Sequence, residues 1–184
     1  MTVLGFLISA DDNESSMLDG ADVARCGTCS RVLEKPAINE GYRPPRDGLG
    51  DASYTYDGYL IVSSVLAGEL EAHGASVVAI PSAPGYSTVN PIERVAFDAE
   101  RRKTRFEEFC NECRRYFSIV GAIPAFLAGA SAALPDRVVG TDIEFGSGDE
   151  QRPLLIVGPA LGESLSSRGL SGLHLRSLDE RAFR

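Results

Sequence analysis

The sequence predicts an α+β fold made of two related strand–helix–strand halves, and three observations predict it. The first is a repeated pattern. Leu60, Ile61, Val62, Leu66, Leu70 and Gly74 recur 95 positions later as Leu155, Ile156, Val157, Leu161, Leu165 and Gly169. Each set reads as a short apolar run, then apolar residues at helical spacing, then a glycine where a helix stops. The second is cysteine placement. The chain's four cysteines fall as Cys26-Gly-Thr-Cys29 and Cys110-Asn-Glu-Cys113, one pair near the start of each half. The third is composition: 43% hydrophobic and 24% charged residues over 184 positions suit a globular chain with a core of its own. These lead to a single domain, 1–184, with an internal duplication whose first repeat covers about 24–82 and whose second covers about 108–178. The competing account is that any strand–helix unit built from common apolar residues resembles any other.

A CxxC turn points two thiolates at one centre, and two such turns complete a tetrahedral four-cysteine zinc site. Eighty residues separate Cys29 from Cys110, whereas about 15–20 separate the knuckles of an ordinary zinc ribbon. The expected site is therefore a split, zinc-ribbon-like clasp that joins distant segments, with Cys26, Cys29, Cys110 and Cys113 as ligands. Four thiolates leave no coordination position for water, so the zinc would be structural. The alternatives are buried free thiols or two disulfides, and nothing else in the chain suggests export.

Taken in order, the elements follow from local pattern. Met1–Ala10 is apolar, with no basic residue ahead of it and Asp11, Asp12 and Glu14 soon after, so it reads as a strand and not as a signal peptide. An acidic loop, 11–22, leads to the first knuckle. Gly and Pro exclude regular helix from Ala37 to Asp51. Tyr54–Tyr59 suggests a strand edge or turn, Leu60–Ser63 a strand, and Ser63 or Ser64 the cap of a helix that ends at Gly74. Ala75–Ile80 and Val95–Asp98 read as strands. The basic run Arg101–Arg105 reads as a solvated turn or hairpin in preference to a phosphate or acidic-partner site. Arg114–Val120 and Val138–Phe145 read as strands. Gly146-Ser-Gly148 lacks the lysine of a P-loop and the further glycine of a dinucleotide fingerprint, so it reads as a turn. The strand Leu154–Val157, a helix and a strand at Leu170–Leu175 close the chain.

Composition and motif searches narrow the function. The net charge of −8 argues against nucleic-acid binding. No apolar stretch approaches the roughly 20 residues that span a bilayer: Gly121–Leu134 is broken by Pro124 and stopped by Pro135. A cytoplasmic location is expected, where thiols stay reduced and hold metal. The two histidines, His73 and His174, lie in no metallohydrolase motif, and no GxSxG elbow occurs. Asp51, Asp57, Asp98 and Asp142 read as scattered surface and turn residues. No enzymatic activity is expected.

The two split knuckles, with the closing pattern Pro153-Leu-Leu-Ile-Val157, a helix and Gly169-Leu-Ser-Gly-Leu-His-Leu, resemble the bacterial double-CxxCG motif proteins. The likeness runs from Cys26 to Leu178. The residues after the knuckles are Ser30 and Arg114, where that family has glycine. The resemblance implies the four cysteine ligands, no catalytic residues, and a role in polymorphic-toxin and contact-dependent systems. There such proteins act as immunity proteins that bind and silence one cognate toxin. The acidic balance suits a toxin with a basic face, steered in by charge. The acidic loop 11–22 and Tyr54–Tyr59 are the contact segments suggested, with a core role for the tyrosines as the alternative. Two other readings stay open: a zinc-stabilised adaptor with a different partner, and a redox-active cysteine protein.

Overall fold

A computed structural model describes residues 3–45, 48–129 and 133–179. In chain order the elements are β1 (Val3–Asp12), β2 (Ala52–Tyr54), β3 (Leu60–Ser63), α1 (Ser64–Ala72), β4 (Ala75–Ala79), β5 (Tyr86–Pro91), β6 (Glu93–Val95), α2 (Ala99–Arg102), β7 (Arg105–Cys110), β8 (Arg115–Val120), β9 (Val138–Ser147), a 3-10 turn at Gly148–Glu150, β10 (Arg152–Val157), α3 (Pro159–Ser167) and β11 (Leu173–Asp179). The fold is mixed α+β and mostly sheet. The main path of hydrogen-bonded strands is β4-β5-β3-β2-β1-β10-β9-β8-β7, with β11 on β1 and β6 on β9.

Both strand–helix–strand units are split in the same way. β3 and β4 each pair antiparallel with β5, which lies between them. β10 and β11 each pair antiparallel with β1, which lies between them. In each unit the helix therefore links two strands that run the same way with a third, reversed strand interposed. The interposed strand comes from different places: β5 follows its unit directly, whereas β1 arrives from the far end of the chain. The two units are also parts of one continuous sheet. Their knuckles differ in setting, since the first lies in the irregular segment before β2 and the second is the turn between β7 and β8.

Alternation explains why these strands are apolar throughout. Successive strand residues face opposite sides of the sheet. Leu60, Val62, Leu155, Val157 and Ile8 share a core with Leu66 and Leu70 of α1 and Leu161 and Leu165 of α3. The intervening Leu7 and Ile156 pack on the opposite side with Phe97, Leu127, Val139 and Phe145. Ile61 packs with Met17, Leu18, Val32, Tyr42 and Tyr59. One sheet face is thus roofed by two helices and the other by irregular chain, so both faces exclude water.

Some local expectations are corrected. Tyr54 and Tyr59 are buried, and of that stretch Tyr56 alone projects into solvent, 58% exposed. Phe97 forms an isolated bridge to Leu127 beyond the end of β6. Ser63 precedes α1 without capping it, because its hydroxyl donates to Asp51 Oδ1 at 2.9 Å. The first turn of α3 is served from outside the helix, where Leu161 N–H donates to Asp136 Oδ1 at 2.7 Å. Asp57 is not a surface residue. Its buried carboxylate accepts from the backbone N–H of Met17 and Leu18 and from the hydroxyls of Ser16 and Thr55. This pins the acidic loop to the β2–β3 turn and holds the Met17 side chain in the core. Among the described residues no helix is long and apolar enough to cross a membrane.

Candidate metal centre

The two knuckles are built alike. In the first, Ser30 N–H donates to Cys26 C=O at 2.9 Å, and Cys26 N–H to Arg31 C=O at 2.9 Å. In the second, Arg114 N–H donates to Cys110 C=O at 2.9 Å, and Cys110 pairs with Arg115 across the β7–β8 ladder. The bonds from Ser30 and Arg114 span four residues and turn the two cysteine side chains of each knuckle to one side. Closing them requires a left-handed residue after the second cysteine, and Ser30 (φ 60°) and Arg114 (φ 59°) supply it.

The fold brings all four predicted cysteines together. Cys26 Sγ lies 3.7 Å from Cys110 Sγ, Cys29 Sγ lies 3.7 Å from Cys113 Sγ, and the four sulfurs lie within 4.8 Å of one another. A disulfide needs a sulfur separation of about 2.05 Å, and all four thiols are free. A tetrahedral ion with metal–sulfur bonds of about 2.3 Å sets its ligands about 3.8 Å apart. The cluster fits such an ion. Cys26 and Cys110 are buried, and Cys29 and Cys113 are partly exposed.

Electrostatics point the same way. The backbone N–H of Cys113, with that of Glu112, holds the Cys110 thiol down to about 7. The N–H of Arg31 acts likewise on Cys29, but desolvation and its three sulfur neighbours outweigh it and push that thiol up to about 12. Four adjacent thiolates repel one another, and a divalent cation at their centre removes that repulsion.

Contacts beyond the sulfurs lock the two knuckles together. Glu112, in the second, accepts from Thr28 Oγ1 at 2.5 Å and Gly27 N–H at 3.3 Å in the first. The hydroxyl of Thr28, with the Gly27 N–H, holds the Glu112 carboxyl below its usual range. Asp149 accepts from Val32 N–H at 2.9 Å and from Arg25 at 2.8 Å, and Arg31 donates to Tyr116 C=O at 3.0 Å. These partners orient the ligand-bearing turns as a supporting shell does in metal sites.

Sequence reasoning missed two neighbouring features. Beside the second knuckle, Phe106 and Phe109 of β7 pack at a tilt against Tyr116 of β8, with ring centroids 5.3 and 5.0 Å apart. All three rings are at least 36% exposed. The apolar residues at 106 and 109 were the available signal, but their spacing matches no strand face. The second feature is a cleft of about 770 Å³ between the 31–37 segment and strands β7 to β10. No protein-family model matches the chain, and no curated protein matches it significantly.

Proposed function

We propose that the chain is an immunity protein: a cytoplasmic binding protein, clasped by one structural zinc ion, that neutralises a cognate bacterial toxin by occupying it. Cys26, Cys29, Cys110 and Cys113 are the zinc ligands in this reading, and the clasp is the junction of two related halves. A closed four-thiolate site has no position for substrate, so it serves structure. Zinc suits four sulfur donors in tetrahedral array better than a hard cation does.

The observation that carries the binding role is the exposed Phe106–Tyr116–Phe109 cluster. It stands on a hairpin at the outer end of the sheet, fixed at its turn by the metal site. Rigid, exposed aromatic rings are the residues that anchor protein partners. The acidic loop supports steering toward a basic toxin, since Asp12, Glu14, Asp19 and Asp22 are exposed. Buried Tyr54 and Tyr59 leave the proposed contact surface. The test is co-expression with the product of the adjacent reading frame. Rescue of growth and a stoichiometric complex support the proposal. A non-toxic neighbour with no complex points to the adaptor reading.

A further inference from the structure

The cleft beside the clasp is lined by five cations, Arg31, Lys35, Arg94, Arg115 and Arg152, in a chain with 26 acidic and 18 basic residues. Its carboxylates are engaged in other work. Asp149 serves Val32 and Arg25, Asp142 Oδ1 accepts from Phe97 N–H at 2.8 Å, and Glu144 lies 3.9 Å from Arg94. Among the described residues only Glu34 lines the cleft with no such role.

The remaining four cations have no carboxylate within 4 Å among the described residues. Arg31 is buried, and its guanidinium makes one protein hydrogen bond, to Tyr116 C=O. Lys35 Nζ donates to the carbonyls of Asp57 at 2.6 Å and Gln151 at 3.0 Å. Arg152 stacks on the Tyr54 ring, 3.9 Å from its centroid. Among the described residues the Arg115 side chain has no hydrogen-bond or ion-pair partner. Arg31 and Arg115 also hold matching places, each two residues beyond the second cysteine of its knuckle. The clasp therefore delivers one guanidinium to the cleft from each side.

From this we infer that the cleft binds a small phosphorylated ligand of the nucleoside-phosphate class, its phosphate seated between Arg31 and Arg115 and its ring against Tyr116 and Phe106. Several cations with no carboxylate in direct contact suit a phosphate dianion over a single carboxylate, and guanidinium forks match phosphate oxygens in pairs. The volume lies within the usual range for small-ligand sites. Tyr116 and Phe106 line the same cleft and offer faces on which a base stacks. The inference does not depend on the toxin reading.

Isothermal titration of the intact, zinc-loaded protein with AMP, GMP, adenosine and inorganic phosphate tests it. The expected result is a Kd below about 1 mM for a mononucleotide, weaker binding of phosphate, and none of adenosine. Arg115→Gln changes an exposed side chain with no bonding partner among the described residues, so it leaves the fold intact and weakens nucleotide binding about tenfold, a loss of about 1.4 kcal/mol. Unchanged zinc content and melting temperature verify that variant. No binding of either nucleotide at about 5 mM, or binding indifferent to Arg115→Gln, overturns the inference. Adenosine binding as tightly as AMP overturns the phosphate seat, and phosphate binding as tightly as AMP overturns the ring platform. The Phe109→Ala variant reports separately on the toxin reading, because Phe109 does not line this cleft.

Discussion

Ser30 and Arg114 occupy one and the same backbone position in the two knuckles, with φ values of 60° and 59° and the same 2.9 Å bond to the first cysteine's carbonyl. Neither is glycine, so each holds a left-handed conformation that costs an L-residue about 1–2 kcal/mol. Glycine removes that cost but adds about 0.5–1 kcal/mol of unfolded-state entropy. Ser30→Gly and Arg114→Gly should each stabilise the protein by about 0.5 kcal/mol. Ser30→Val should destabilise it by about 1–2 kcal/mol, since a β-branched residue tolerates positive φ worst. Urea unfolding of the three variants measures both effects, and a stabilising Ser30→Val would refute the argument.

Metal removal should loosen the contact between the knuckles. Zinc contributes on the order of 10 kcal/mol in small zinc peptides, and a smaller contribution is expected here because three apolar clusters exist without it. Cys110→Ser should lower stability by on the order of 3 kcal/mol, or a melting temperature by about 10 °C. Elemental analysis should find one zinc equivalent in the parent and none in this variant. Cobalt in its place should give the absorption of a tetrahedral thiolate complex.

Asp57→Ala should be among the more damaging single changes. It strips the N–H groups of Met17 and Leu18 and two hydroxyls of their acceptor. Leaving buried donors unsatisfied costs about 1–3 kcal/mol each before relaxation. A loss of about 3 kcal/mol is expected, together with faster proteolysis within residues 13–22. Asp57→Asn should recover part of it.

The two long helices should respond oppositely to alanine. Gly68 in α1 is exposed, and an added Cβ meets nothing within 4 Å. Gly68→Ala should stabilise by about 0.5–1 kcal/mol through helix propensity. Gly162 in α3 lies over Phe6, whose ring would sit 2.0 Å from an added Cβ. Gly162→Ala should destabilise by about 1–3 kcal/mol despite the same propensity gain. Thermal melts of the pair decide it.

Burial at the cleft wall holds the Lys35 ammonium down to about 8 from an ordinary 10.5. Between those values the unfolded chain binds the proton that the folded chain has released, so stability rises with pH. The difference between wild type and Lys35→Met should shift in favour of wild type from pH 8 to 9.5, by at most about 1.4 kcal/mol per pH unit. A difference that is flat over that window would mean Lys35 is not desolvated.

What could be read from the sequence was what local chemistry determines. Leu60-Ile61-Val62 and Leu155-Ile156-Val157 were visible because both faces of those strands are buried, which forces unbroken apolar runs. The cysteines were visible because thiolate pairs have a fixed spacing. β5 was missed because its buried positions include Ser87 and Thr88, which no hydropathy pattern marks as interior. Thr88 is tolerated there through its bond to Ala37 C=O at 3.0 Å, a partner 51 residues away. β7 was missed because it lies at the end of the sheet and exposes most of its residues. Asp57 and the cleft cations are single residues given meaning by segments distant in sequence, and only the folded chain assembles them.

The strand flanked by β10 and β11 has a consequence for biosynthesis. β1 is made long before two of its three partners, β10 and β11: Phe6 pairs with Val157 and Val3 with Asp179, and only its end at Asp11 and Asp12 pairs with the earlier β2. Until those two strands are made, Leu4, Phe6, Leu7 and Ile8 have neither of their ladders open to them, and such unpaired apolar strands attract chaperones and aggregate when translation stalls. Completion of the sheet waits for residues as far along as Asp179, so folding is governed by closure between segments distant in sequence.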